Sequence, residues 1–172
     1  MACILKVMVV ENTIPLEQYL QTAFPGLDKE FRDGRLVDRP MPDYLHGRVQ
    51  GVLFGLFFAL RRQLLLFPCV ETRLLLPGRR SLIPDVTVFQ GTEPPRVPDS
   101  PPLVAIEVRS ADDRLVDIQL KLEEYRDWGV PHVWLVDPRQ RSLYVFDRRL
   151  QEVQSLEIAE LGVRFGPEEI FD

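Results

Sequence analysis

The chain is 172 residues long, 45% hydrophobic and 27% charged, which is enough apolar sequence to fill one core and enough charge to wet its surface. Its net charge of -5 and pI near 5.2 argue against a protein that grips nucleic acid through a general basic surface, since that mode needs many Lys and Arg contacts to phosphate; a local basic patch stays open. Cys3 and Cys69 form no spaced cluster, which argues against a disulfide framework or structural zinc, and with no secretory signal the expected setting is a reducing cytoplasm.

Residues 4–10 read equally as an edge strand or a loop. Thr13 is the expected N-cap of a short helix with Pro15 in its first turn, Leu16, Leu20 and Ala23 along one side, and Pro25-Gly26 as its end. Asp33-Gly34 between two short runs predicts a β-hairpin. Asp43 can cap a long helix carrying Leu45, Val49, Val52, Leu53, Leu56, Phe57 and Leu60. The stretch GVLFGLFFALRRQLLLF at 51–67 is interrupted by Arg61-Arg62 before it reaches the roughly 20 apolar residues of a membrane span, so a buried helix is expected and no membrane association. Strands are predicted at 70–76, 85–89 and 103–108, with a proline-rich surface loop (Pro94, Pro95, Pro98, Pro101, Pro102) before the last of them.

A helix follows from about Arg114 to Trp128, with Leu115, Ile118, Leu122 and Tyr125 at helical spacing and Gly129 as its stop. Residues 133–136 and 143–146 then make a hairpin around Asp137-Pro138-Arg139-Gln140, and the tail adds a short strand and a capping turn. The helix between Val108 and Val133 has the length of a crossover joining parallel strands, so the expected fold is α/β (mixed α+β): one domain over 1–172, a central mixed sheet flanked by helices. The chain contains neither GxGxxG nor GxxxxGK, which disfavours a nucleotide-dependent enzyme.

Two acids stand against apolar strands: Asp85 ahead of Val86-Thr87-Val88-Phe89, and Glu107 at the end of Leu103-Val104-Ala105-Ile106. A carboxylate there is costly to ionise without a compensating cation, and two on neighbouring strands can share a divalent ion, with the Val108 backbone carbonyl and waters completing an octahedral oxygen shell that suits Mg²⁺ or Mn²⁺. Alternation puts Glu107 and Arg109 on one face of the strand and Val108 on the other. On the next helix Asp117, Lys121 and Tyr125 recur at i, i+4 and i+8, and Lys121 is one of only three lysines, with Lys6 and Lys29. Two acids, a divalent ion and a lysine suit phosphodiester hydrolysis, the ion lowering the pKa of bound water and the ammonium offsetting developing charge.

Pro84-Asp85, Glu107-Val108-Arg109-Ser110, Asp117 with Lys121 and Tyr125, and Gly129-Val130-Pro131-His132-Val133-Trp134-Leu135-Val136-Asp137-Pro138 resemble the Uma2 (DUF820) family of the PD-(D/E)XK nuclease superfamily. The resemblance runs from the Asp33-Gly34 hairpin and His46 to Phe171, and is most specific from Asp85 to Pro138. It implies a restriction-endonuclease-like core, metal held by Asp85 and Glu107, and DNA as substrate. In the wider superfamily a lysine stands two residues after the glutamate; here that position is Arg109, and Lys121 matches the place from which Uma2-type proteins supply it.

Plainer readings stand beside these. Asp85 could cap a turn after its proline, Glu107 could be satisfied by an ion pair, and Lys121 could pair with Asp117 on a solvated face. His46 is a structural histidine or a site contact, and Tyr125 packs helix on sheet with its hydroxyl near the site. Glu71, on the predicted strand leading to the site, is a further candidate ligand. Arg109, Arg114 and Arg126 are candidate phosphate contacts, whereas His132, Trp128 and Trp134 read as structural. The expected activity is a Mg²⁺-dependent DNA endonuclease, working as a homodimer or higher homo-oligomer since cutting both strands of a duplex takes two sites. The alternatives are an inactive module of the same fold that binds nucleic acid or protein, and hydrolysis of another phosphodiester or a nucleotide.

Overall fold

The computed structural model describes residues 13–111 and 113–172, so the reading of 4–10 lies outside the described residues. The described residues begin with α1 (Leu16–Gln21) and a tight hairpin of β1 (Glu30–Arg32) and β2 (Arg35–Val37). Asp33 and Gly34 both take positive φ, 50° and 88°, the twist a two-residue hairpin turn requires and the reason Asp-Gly is favoured there. Next comes the long helix α2 (Tyr44–Leu64), whose N-cap Asp43 accepts a hydrogen bond from the His46 amide as its sequence predicts. Strands β3 (Leu66–Val70), β4 (Leu74–Leu76), β5 (Arg80–Leu82), β6 (Val86–Gln90) and β7 (Val104–Val108) lead to α3 (Leu115–Trp128). Gly129 at φ 104° closes that helix in the left-handed conformation, returning its amide to Tyr125 and Arg126. The chain ends with β8 (His132–Asp137), β9 (Ser142–Phe146), β10 (Leu150–Val153), β11 (Leu156–Ile158), β12 (Val163–Phe165) and α4 (Pro167–Phe171).

The main sheet runs β10-β9-β8-β7-β6-β3 and is mixed: β7 and β8 are parallel, joined by the α3 crossover, and every other pair is antiparallel. A second sheet, β2-β1-β5-β4, and the β11-β12 hairpin complete the strands among the described residues. Both faces of the main sheet are covered, so β6, β7 and β8 are nearly continuous apolar runs. On one face Val49, Leu53 and Phe57 of α2 meet Val86, Val88, Val104, Ile106, Val108 and Trp134, with Phe165 and Phe171 of the tail closing the edge. On the other, Ile118, Leu122 and Tyr125 of α3 pack on Ala105, Val133 and Leu135, alongside Leu74, Leu76 and Leu82 of the second sheet. Each fully buried aliphatic side chain contributes about 1.5–3 kcal/mol of transfer free energy, so these two layers supply the rigidity on which a site at the strand ends depends.

The structure corrects the sequence reading at several points. Thr13 does not cap α1: it forms a bridge with Arg35, Pro15 takes the N-cap position, and the buried residue of this six-residue helix is Tyr19 rather than Leu16, Leu20 or Ala23. An aromatic ring buries more area than any of those, and Tyr19 stacks on Phe31 with its hydroxyl donating to the Lys29 carbonyl at 2.6 Å. The predicted strand at 70–76 is split between two sheets, with the backbone turning at Glu71, φ 48°, because the chain must leave the main sheet to enter the second. Leu115 is exposed rather than packed, since it sits on the free first turn of α3. The tail from Leu156 to Phe171 holds two strands where one is predicted, and a further strand, β10, precedes it. Among the described residues no helix is long and apolar enough to cross a membrane.

Phe57 is fully buried with its ring 6.1 Å from Trp134 and 5.1 Å from Phe165, whereas Val116 is 60% exposed. Truncating Phe57 leaves a cavity between helix and sheet, so Phe57→Ala is expected to lower the unfolding free energy by about 3–5 kcal/mol in urea titrations, against about 0.5 kcal/mol or less for Val116→Ala.

Candidate functional site

At one end of the main sheet the first turn of α2, the middle of α3, the hairpin strand β1 and the ends of β6 and β7 converge on a cavity of about 390 Å³. Strand alternation decides which side chains enter it. Val104, Ile106 and Val108 of β7 point into the α2 layer, so Glu107 points towards α3. There it is only 8% exposed, accepts the Tyr125 hydroxyl at 2.7 Å, and lies 2.9 Å from Lys121 Nζ. Helical spacing puts Lys121 and Tyr125 one turn apart on the same face of α3, and both reach the same carboxylate.

Lys121 has a second acid, Glu30, at 2.8 Å, and its ammonium also donates to the Ile83 carbonyl at 3.3 Å. Glu30 is buried on β1, with the Ile83 amide 3.2 Å from its Oε1 and Arg32 beside it. Asp85, 4% exposed and just ahead of β6, is fixed from several sides: Oδ2 accepts the Val108 amide at 2.7 Å, and Oδ1 faces Arg39 at 3.2 Å and His46 Nε2 at 3.4 Å. Its main-chain carbonyl accepts from Gln50 at 2.9 Å. His46 is oriented in turn by Ser110, whose hydroxyl is 2.9 Å from Nδ1. Ser110 donates its amide to Asp113, which lines the cavity.

The electrostatics follow from this crowding. Burial pushes the Glu107 carboxyl up and Asp85 and Glu30 push it further; Lys121 opposes them without prevailing, and the group titrates at about 7. Asp85 stays below the usual carboxylate range despite its burial, because His46, Lys121 and the Val108 N–H favour the charged form. Glu30 is likewise held low against burial by Lys121 and Arg32. Burial alone would deprotonate Lys121, but Glu107, Glu30 and Asp85 outweigh it and hold the ammonium firmly protonated.

Of the residues singled out from sequence, Asp85, Glu107, Lys121, His46 and Tyr125 are brought together. Asp117 stays on the cavity rim, its side chain 64% exposed and 4.0 Å from Arg114. Two readings are corrected. Arg109 turns away to Asp137 at 2.8 Å, because that buried acid at the end of β8 needs a cation. Glu71 lies on a turn rather than a strand, and approaches the site through Arg39 at 3.6 Å. Val108 donates its amide to Asp85, beside the carbonyl read from sequence as a ligand. Arg126 binds Asp147 and the Val130 and Pro131 carbonyls, so its guanidinium serves the fold. Sequence reasoning missed Glu30 and Arg39. A signal existed for Glu30, since it shares a polar face with Arg32 across from Phe31 on a three-residue strand; nothing local distinguishes Arg39 from the other arginines.

Among the described residues no three His, Cys, Asp or Glu side chains form a ready-made metal cage. The donors that suit a hard divalent cation are the Asp85 and Glu107 carboxylates, two oxygen ligands of the kind Mg²⁺ takes while keeping several waters. Glu30, Asp85 and Glu107 are buried around Lys121, with Arg39 beside Asp85 and Arg32 beside Glu30, and burial together with the two neighbouring acids still drives Glu107 upward, which a divalent cation would relieve. This donor set therefore fits such an ion.

A mixed sheet with a parallel pair at its centre, helices on both faces and paired acids at the strand ends defines a restriction-endonuclease-like domain. A crystal structure described as a "putative nuclease belonging to DUF820" from Anabaena variabilis superposes with a TM-score of 0.79 over 92% of this chain and 97% of that one, at 18% identity. The Uma2 family, described as "Putative restriction endonuclease", matches residues 16–172, and the chain belongs to it. No curated protein matches.

The raised Glu107 carries a pH signature. Its folded-state pKa of about 7 lies above the ordinary 4.5, so its contribution to stability is fully present below 4.5 and is lost as pH rises through about 7. In chelator, wild type is expected to lose on the order of 2 kcal/mol relative to Glu107→Gln between about pH 5 and about pH 8, read from urea titrations. Parallel pH profiles would contradict the assignment.

Proposed function

We propose that this Uma2-family protein is a Mg²⁺-dependent endonuclease that hydrolyses DNA phosphodiester bonds at the cavity holding Asp85, Glu107 and Lys121. The observation that carries the reading is the contact between Lys121 on α3 and Glu107 on β7 at 2.9 Å, which restores to the acids the ammonium absent at Arg109. Asp85 and Glu107 would hold the ion, Mg²⁺ or Mn²⁺, which when bound lowers the pKa of water and neutralises a phosphate.

Each of the other roles belongs to a side chain of this protein. Tyr125 and Lys121 fix the Glu107 carboxylate, while the Val108 amide and His46 fix Asp85, so both acids are oriented before substrate arrives. Lys121 is held protonated, which suits an electrostatic role, offsetting charge that develops on the phosphate, better than that of a base. Tyr125 is held well above its usual pKa, so it remains a hydroxyl donor to Glu107. A duplex cut on both strands takes two such sites, so the proposal includes a homodimer.

A module that binds nucleic acid or protein without cutting is the rival reading, and it draws on the engagement of Arg109 with Asp137. One assay separates the two. Nicking or linearisation of plasmid DNA with Mg²⁺ or Mn²⁺ is expected for wild type, with Asp85→Asn, Glu107→Gln and Lys121→Met each slower by about 10²-fold or more. Equal rates in wild type and the three site variants, with folding verified by circular dichroism, would overturn the endonuclease reading.

A further inference from the structure

Arg39 is a largely buried guanidinium at the site whose hydrogen bonding is incomplete. It lies between β2 and α2 on a stretch that lines the cavity with Val37, Asp38, Pro40 and Pro42. Its side chain is 11% exposed, yet it makes a single hydrogen bond at the site, from Nη2 to Asp85 Oδ1 at 3.2 Å. Its other terminal nitrogen, Nη1, is buried without a hydrogen-bond partner, the nearest acid being Glu71 at 3.6 Å.

A structural arginine in this protein looks different. Arg73, also largely buried, directs Nε and Nη2 to Asp28, Nη1 to the Tyr19 carbonyl and Nη2 also to the Thr22 carbonyl, and it stacks on the Tyr19 ring. Every terminal nitrogen there has an acceptor. A buried guanidinium N–H without one is costly, and the fork geometry of the group matches a tetrahedral oxyanion through two parallel hydrogen bonds. A permanent cation in a cavity otherwise rich in carboxylates is also what an anionic phosphodiester needs in order to enter. The flanking residues leave the segment free to adjust: the Asp38 side chain is 84% exposed and Met41 76%, so Arg39 can shift from Asp85 without disturbing the core.

We propose that Arg39 is a substrate-binding residue that takes a phosphate of the nucleic-acid backbone and rests on Asp85 when the cavity holds none. This rests on the endonuclease reading and extends it to a residue outside the family's acidic motif. The incomplete hydrogen bonding is thereby explained, since the second acceptor is supplied by the substrate. Release of Asp85 Oδ1 by Arg39 also frees that oxygen as the phosphate arrives.

The test is binding of a fluorescein-labelled DNA duplex in Ca²⁺, followed by anisotropy at several salt concentrations for wild type, Arg39→Gln and Arg39→Lys, with Mn²⁺ affinity of each measured by electron paramagnetic resonance. Arg39→Gln is expected to weaken duplex binding about tenfold or more and to reduce the slope of log affinity against log salt by about one. Arg39→Lys should keep the slope while losing part of the affinity, because an ammonium supplies the charge without the fork. Mn²⁺ affinity should be undiminished in both variants, a result that an arginine serving only to hold Asp85 in place would not give. Duplex binding and salt slope unchanged in Arg39→Gln, while wild type binds and cuts, would overturn the role of Arg39 alone. A wild-type protein that does not bind the duplex at all would overturn the endonuclease reading and this proposal together.

Discussion

Three carboxylates buried within reach of one ammonium are the constraint around which this protein is organised. A carboxylate removed from water costs several kcal/mol unless a cation or donors compensate it, and Glu30, Glu107 and Asp85 all depend to some degree on Lys121. The compensation is incomplete at Glu107, whose carboxyl is driven upward by its burial and by the neighbouring Asp85 and Glu30. An apolar pair of the same volume would serve stability at least as well, so the cluster is better understood as a site than as a stabilising feature.

The fold exists around this cluster in a way each element makes plain. The parallel pair β7 and β8 requires a crossover, and that crossover is α3, which carries Lys121 and Tyr125 over the end of β7. The antiparallel neighbour β6 begins just after Asp85, so the Val108 amide at the edge of β7 can lock its side chain. The α2 N-terminus brings His46 against the other oxygen of Asp85, and the second sheet delivers Glu30 to Lys121. Because the two apolar layers on either face of the sheet are rigid, none of these contacts needs a flexible loop to hold it, with the exception of Arg39.

Much of this was legible in the chain. The Asp-Gly hairpin, the Asp43 cap, the crossover helix with its Gly129 stop and the convergence of Asp85, Glu107, Lys121 and Tyr125 all follow from local signals: turn chemistry, capping, and periods of 2 and 3.6 residues. What escaped is long-range. Splitting residues 66–76 between two sheets depends on which partner strands are available, and Glu30 reaches Lys121 across 91 positions of sequence, a pairing no local pattern encodes. Arg109 misled for the same reason: alternation put it on the face of Glu107, but the buried Asp137 at the end of the neighbouring strand claimed its charge.

The proposed activity requires Asp85 and Glu107 to hold a divalent cation together. Diffraction from crystals soaked in Mn²⁺, with data collected to record its anomalous scattering, tests it most directly. One strong anomalous peak is expected between the two carboxylates, with Lys121 retained beside Glu107. Well-ordered carboxylates with no peak between them, or a peak elsewhere on the molecule that leaves both acids untouched, would contradict it.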